Sequence, residues 1–407
     1  MNIQEVKNMK ELLIGNLKAK LPIIQGGMGI GISLSGLASA VADQGGVGVI
    51  STAGVGMFEP DFSTNFLEAN IRALKNEIRK AREKTKGILG VNVMVALTNF
   101  ADMVETAISE KIDIIFAGAG LPLTLPKFLD KFSKTKLVPI VSSGRAAGII
   151  IKRWWEKFRY IPDAIVVEGP AAGGHLGFKI NQIDDQGYVL ENLVADVINE
   201  VNLFKGQFEK QGDRQFEKQL DAKFEAQTGQ AYEDQLKKAI PVIAAGGIYT
   251  GEDIYRQMEK GAAGVQMATR FVTTDECNAA DEFKRAYIEA KKEDICIINS
   301  PVGMPGRAIL NKFIEDVRAG GKKPYTCPYH CITTCKYKDS PYCIALALMN
   351  AKKGHVDNGV VFAGMNAFRA KEIVPVKQLV ESLKNEYAEA AGNQCPGISG
   401  QGISGKL

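Results

Sequence analysis

Eight short apolar runs, each followed by an amphipathic stretch, constrain this chain more than any other feature. They are Leu21–Gly26, Gly46–Ser51, Ile88–Val95, Ile112–Ala117, Leu137–Ser142, Ala164–Glu168, Pro241–Ala245 and Gly264–Ala268. Most are hydrophobic along their whole length rather than at alternate positions, as strands buried on both faces are. Between them, apolar residues recur at helical spacing, as in Leu34–Asp43, Asn65–Lys84, Pro122–Lys134, Ala146–Phe158 and Gly251–Lys260. Eight strand–helix units in succession predict an α/β fold, a closed (β/α)8 TIM barrel. A doubly wound open sheet is the alternative, but it commonly has only about five or six strands.

The chain has 407 residues, more than the roughly 250 such a barrel needs. Residues 1–300 are assigned to the barrel, with a helical insertion at 203–238. There the sequence is charged and Gln-rich, and QFEK occurs at Gln207 and again at Gln215. Residues 301–395 are expected to form a C-terminal extension packed on the barrel, and 396–407, which repeat GISG, a flexible tail. The opening MNIQEVKNMKELL reads as polar and helical, with no signal-peptide core, so a cytoplasmic location is expected. No apolar run approaches the roughly 18 residues of a membrane span. With 50 basic against 46 acidic residues the net charge is only +4, too weak a bias for a nucleic-acid partner.

Active groups in a parallel barrel sit where the strands end and the following loops begin. Here those ends are rich in glycine. The first strand runs into Gln25-Gly26-Gly27-Met28-Gly29, the third carries Asn92, and the fifth ends Ser142-Ser143-Gly144. The seventh ends Ala245-Gly246-Gly247, and the eighth leads into Gln266-Met267-Ala268-Thr269-Arg270. Glycine lets a backbone approach a ligand closely, and freed N–H groups favour an anion. Such barrels often hold a phosphate at the last two strand ends, so Gly246, Gly247 and Thr269 are the expected cradle. The sixth strand opens the segment AIVVEGPAAGGHLGF, residues 164–178, in which His175 follows Gly173 and Gly174. One of only three histidines, it stands where an imidazole can move a proton near neutral pH. The plainer alternative is a histidine satisfied by local backbone bonds, and the glycine pair weighs against it. Ser142 and Ser143 read as helix caps. Gln25 reads equally well as a core residue bonded to backbone.

In this order, LPIIQGGMG, GVNVMV, GPAAGGHLG, PVIAAGGI and GVQMATRF resemble the nitronate monooxygenases, once called 2-nitropropane dioxygenases. They are similar also to the flavin-dependent enoyl-acyl carrier protein reductases. The likeness spans about residues 21–315 and implies a TIM barrel with bound FMN. It implies that Met28, beside Gly27, lies against the flavin ring with its backbone near the reactive nitrogen, and that Asn92 bonds the polar edge. Gly173 and Gly174 would let the loop approach. Gly246, Gly247, Gln266, Met267, Ala268 and Thr269 would hold the phosphate. Glu168 stands where the family often has a glutamine that contacts FMN, and Ala171 where many members have a glutamate. A carboxylate there would disfavour an anionic reduced flavin, which points to a supporting role for Glu168. His175 matches the family's catalytic histidine and would orient or neutralise an anionic nitronate, or deprotonate a neutral nitroalkane. The implied reaction turns an alkyl nitronate and oxygen into a carbonyl compound and nitrite. The alternative is NAD(P)H-dependent reduction of an enoyl thioester on the same flavin. A homodimer is left open.

An enzyme resembling inosine-monophosphate dehydrogenase would need a nucleophilic cysteine after the sixth strand, and Gly169–Phe178 contains none. A non-catalytic barrel that senses a phosphorylated ligand is the reading from another class, and His175 argues against it. Seven cysteines in a chain of this length are expected to be reduced. Cys327, Cys331 and Cys335 recur every four residues, so a helix would align them in one stripe, with His330 and Cys343 nearby. Zinc or an iron–sulfur cluster could use such donors. The usual C-x2-C knuckle is missing, however, and free cysteine packs as a small apolar residue, so core packing is the expected role.

Overall fold

The computed structural model describes residues 9–210, 238–321, 323, 325–327 and 330–392. It opens with a hairpin of β1 (Leu12–Ile14) and β2 (Leu17–Ala19). The eight apolar runs then supply β3 (Ile23–Gln25), β4 (Val47–Ser51), β5 (Ile88–Met94), β6 (Ile114–Gly118), β7 (Lys136–Val141) and β8 (Ile165–Glu168). After a two-residue β9 (Gly174–His175) come β10 (Val242–Ala245) and β11 (Gly264–Met267). Excluding β9, these strands close in chain order into a parallel barrel, β11 pairing with β3. This is the expected (β/α)8 TIM barrel.

Side-chain alternation divides the strands into two layers. Ile24, Val47, Val49, Ile114, Phe116, Val138, Val166 and Ile243 fill the lumen. Ile23, Val91, Val93, Ile165, Val167, Val265 and Met267 face outward, against the helices. The lumen needs one small residue to admit a large one. A Cβ on Gly90 would lie 2.7 Å from Cε2 of Phe116. The β1–β2 hairpin adds Leu12 and Ile14 to the lumen cluster. The helical reading of the N-terminus therefore fails at Leu12 and Leu13, which pair with Ala19 and Lys18 as strand; residues 1–8 lie outside the described residues.

Helices Ser35–Asp43, Phe66–Lys84, Phe100–Ser109, Gly144–Phe158, Leu190–Lys210 and Gly251–Glu259 surround the barrel. Ser143 caps its helix as expected, Oγ accepting from Ala146 N at 3.2 Å. The stretch Pro122–Lys134 does not form the expected helix. It makes one 3-10 turn, Leu125–Phe128. Pro126, with no N–H and a ring that crowds the preceding turn, forbids an α-helix through its centre. Of the expected insertion at 203–238, residues 203–210 continue helix Leu190–Lys210, while 211–237 lie outside the described residues. So does the expected flexible tail, 396–407.

Beyond the barrel, β12 (Ile295–Asn299) and β13 (Pro305–Ile309) form an antiparallel hairpin that crosses residue 300. β14 (Val361–Phe362) joins one end of β13, and β9 joins the other, Gly306 opposite His175. This small sheet ties the loop after β8 to the last hundred residues. No helix among the described residues is long and apolar enough to cross a membrane.

Candidate active site

The strand ends lie level. Ser51 is paired beside Asn92, Glu168 beside Ala245, and Ala245 beside Gln266. Above them opens a cavity of about 500 Å³, within the usual range for a small-molecule site. Every residue expected to hold the cofactor or act on substrate borders it: Gly27, Met28, Asn92, Glu168, Gly173, Gly174, His175, Gly246, Gly247, Gln266, Met267, Ala268 and Thr269. Alternation explains three of them. Because Val91 and Val93, Val167, and Val265 and Met267 face outward, Asn92, Glu168 and Gln266 turn into the barrel mouth.

Two of these residues present themselves differently from expectation. Met267 buries its side chain among the helices, so it offers the cavity its backbone. The Met28 amide is committed to Ser33 Oγ at 2.8 Å, and Ser33 N donates back to Met28 O at 3.1 Å. A ring beside Met28 would therefore meet its side chain rather than a free N–H. Gln25 is fully buried; its Oε1 accepts from Val49 N at 3.0 Å and its amide donates to Gly26 O. It is a core residue.

The β10 end is shaped for close approach. Gly246 and Gly247 have φ of 93° and 83°, the left-handed region that excludes ordinary side chains. A Cβ on Gly247 would lie 2.8 Å from the Ala171 Cβ, and one on Gly27 would collide with Asn92 Cβ. Neither Gly246 nor Gly247 donates its N–H to an acceptor among the described residues. The Gly247 carbonyl is held by Asn366 Nδ2 at 2.6 Å. Such bare amides on a strand-end turn suit a phosphate.

His175 stands across the cavity. Its Nε2 lies 2.6 Å from Ser300 Oγ, and its ring meets Phe362 edge to face at 5.0 Å. Burial lowers its pKa to about 4, so the imidazole is neutral at pH 7. Burial acts oppositely on Glu168, raising its carboxyl to about 7. What surface Glu168 keeps opens into the cavity that it lines. Near neutral pH it is partly a neutral acid, which relieves the expected repulsion of an anionic reduced flavin. Arg307, also buried, holds the loop between them: its Nη1 donates to Pro170 O, and to Ala172 O at 2.7 Å.

Sequence reasoning missed Ser300, Arg307, Phe362 and Asn366. Nothing local in SPVGMPGR, residues 300–307, showed that Ser300 and Arg307 fold back onto the His175 loop.

The chain matches the family model described as nitronate monooxygenase over residues 10–386. It belongs to the nitronate monooxygenase family. That membership makes it an oxidoreductase. A "Probable nitronate monooxygenase" of Staphylococcus aureus (strain Newman) is 26% identical over 346 residues, covering 76% of this chain and 80% of the relative. Among solved structures, FabK from Thermotoga maritima superposes with a TM-score of 0.66 at 25% identity, covering 91% of this chain and 94% of that one. A nitroalkane oxidase from Streptomyces ansochromogenes shares the fold, with a TM-score of 0.66 at 21% identity over 92% of this chain and 98% of the other.

Within the nitronate monooxygenase frame, one wall of the cavity comes from outside the barrel. Cys331, Ile332, Ile344, Leu348, Phe362 and Met365 border it from the C-terminal region. The expected cysteine stripe does not form, because residues 330–343 run as loop and turns rather than helix.

Proposed function

We propose that the chain binds FMN in this cavity and oxidises alkyl nitronates with oxygen, giving a carbonyl compound and nitrite. The observation that carries the reading is a half-buried, neutral His175 that borders the same cavity as two left-handed glycines with unused amides. The residues present fit FMN: Gly246, Gly247 and the backbone of Gln266–Thr269 would take the phosphate. Asn92, Met28 and Glu168 would border the ring. FMN, when bound, supplies the electron chemistry; the chain supplies position and proton handling.

With Nε2 engaged by Ser300, Nδ1 of His175 is left for substrate. A neutral imidazole does not neutralise a nitronate by charge. It donates a hydrogen bond to the nitronate oxygen or accepts the proton of a neutral nitroalkane, according to tautomer. The test is oxygen uptake with nitrite release on adding a preformed nitronate. A second reading, enoyl-thioester reduction with NAD(P)H, is favoured by the cavity's apolar arm. Phe62, Phe66, Leu97, Ile332 and Leu348 line it and suit an acyl chain. NAD(P)H oxidation stimulated by an enoyl thioester, without nitrite release from nitronate, would select it.

Glu168 should impose a pH dependence. Below pH about 7 its carboxyl is neutral; above, it ionises and repels an anionic nitronate. KM for preformed nitronate is therefore expected to rise as pH passes through about 7, by about tenfold if the mutual repulsion is worth one pKa unit. Glu168→Gln should flatten that rise, and an unchanged profile in the variant would remove Glu168 from the site.

Ser300→Ala should act through His175. Losing a hydrogen bond worth about 1 kcal/mol predicts roughly a fivefold fall in kcat with KM near wild type. If kcat and its pH profile stay unchanged, Ser300 does not position the imidazole.

A further inference from the structure

The loop between β13 and helix Ile344–Lys352 carries a feature that neither the barrel nor the flavin reading uses. Its turns gather four thiols that a helix would have strung out. Cys331 lies within electrostatic reach of Cys327, Cys335 and Cys343; Cys335 within reach of Cys327 and Cys343; and Cys343 within reach of Cys327. All six pairs among the four are thus within electrostatic reach, and all four are free of disulfide. Backbone bonds hold this arrangement from several sides. Thr98 N donates to Cys331 O at 3.2 Å, Thr333 N to Ala96 O at 2.9 Å, and Cys335 N to Ile332 O at 3.1 Å. Cys343 is the N-cap residue of helix Ile344–Lys352.

The donor set selects the ligand. His330 turns its Nε2 to Cys335 O at 3.1 Å, leaving an all-sulfur set. Among the described residues no three His, Cys, Asp or Glu side chains are placed to share one metal ion. Zinc would hold the sulfurs about 2.3 Å from a single centre. A polynuclear cluster seats its ligands wider apart, because irons and sulfides occupy the middle. Of the four, Cys343 borders a second cavity of about 460 Å³, with Tyr325 and Lys323. Cys331 borders the active cavity itself.

We propose that Cys327, Cys331, Cys335 and Cys343 hold a four-iron iron–sulfur cluster in the wall of the active cavity. Cys331, Cys335 and Cys343 do pack against apolar clusters, as expected, and the proposal adds ligation to that role; it stands independently of which substrate the flavin site takes. Loading consumes iron ions and sulfide and displaces the four thiol protons, since thiolates are the ligands.

The test uses the full-length chain, purified anaerobically and then reconstituted with iron salts and sulfide. About four irons and four acid-labile sulfides per chain are expected, with a paramagnetic signal after dithionite reduction. Cys331→Ser and Cys335→Ser should each lose most of the iron, while Cys277→Ser and Cys296→Ser keep it. Circular dichroism checks that each variant folds, and Cys335, which is only partly buried, serves if Cys331→Ser does not. One zinc in place of iron, disulfides among the four, or four alkylatable thiols with no iron after reconstitution would each overturn the assignment.

Discussion

His175→Asn should lower turnover by about 10² to 10⁴, the usual contribution of a positioned acid–base group, while leaving flavin content and stability near wild type. Asparagine keeps the β9–β13 pairing, because Gly306 faces the backbone of residue 175 and not its ring. The asparagine amide ends where Nδ1 of the imidazole lies, short of the Nε2 position that meets Ser300, so that contact is lost. It cannot accept a proton, and it loses the edge-to-face contact with Phe362. Measuring a neutral nitroalkane and its preformed nitronate side by side separates the two roles of the imidazole. A larger loss on the nitroalkane identifies a base, and equal losses identify a hydrogen-bond donor. Wild-type rates on both, and on an enoyl thioester, would reduce His175 to a structural residue.

Gly247→Leu is expected to abolish flavin binding and with it the yellow colour. Two effects act together. A left-handed φ of 83° costs a non-glycine residue about 1–2 kcal/mol, and the new side chain starts 2.8 Å from the Ala171 Cβ. The backbone must shift where its amides would meet a phosphate. Gly320→Leu separates these effects. Gly320 is left-handed too, at 89°, with nothing within 4 Å of its Cβ position and no place in the cavity wall. It should show the strain without the loss of flavin. Stoichiometric flavin in Gly247→Leu would sink the cradle.

The barrel was legible because its signal is local: most strands buried on both faces are continuous apolar runs, and several of them end in glycine. The same locality exposed the His175 loop and the Gly246–Gly247 turn. Pro122–Lys134 misled because its apolar spacing is helical while Pro126 vetoes the helix. Ser300, Arg307, Phe362 and Asn366 were invisible for another reason. Phe362 and Asn366 border the cavity and Ser300 and Arg307 support its loop from behind, all by way of the small outer sheet, and the pairing of β13 with a two-residue strand leaves no period to read. The cysteines show the limit most plainly. A four-residue spacing suggested a helical stripe, and turns brought the thiols together instead.

The sheet that joins β9 to β13 and β14 also orders events in time. All barrel strands have been synthesised by Met267, yet the loop carrying His175 takes its backbone partners from Gly306 and Arg307. Gly173 packs against the backbone of Ala363 and Gly364. A nascent chain on the ribosome could therefore complete its barrel well before its active site exists. Competence would then arrive only once residues 306–364 have left the ribosome and paired with the loop that carries His175.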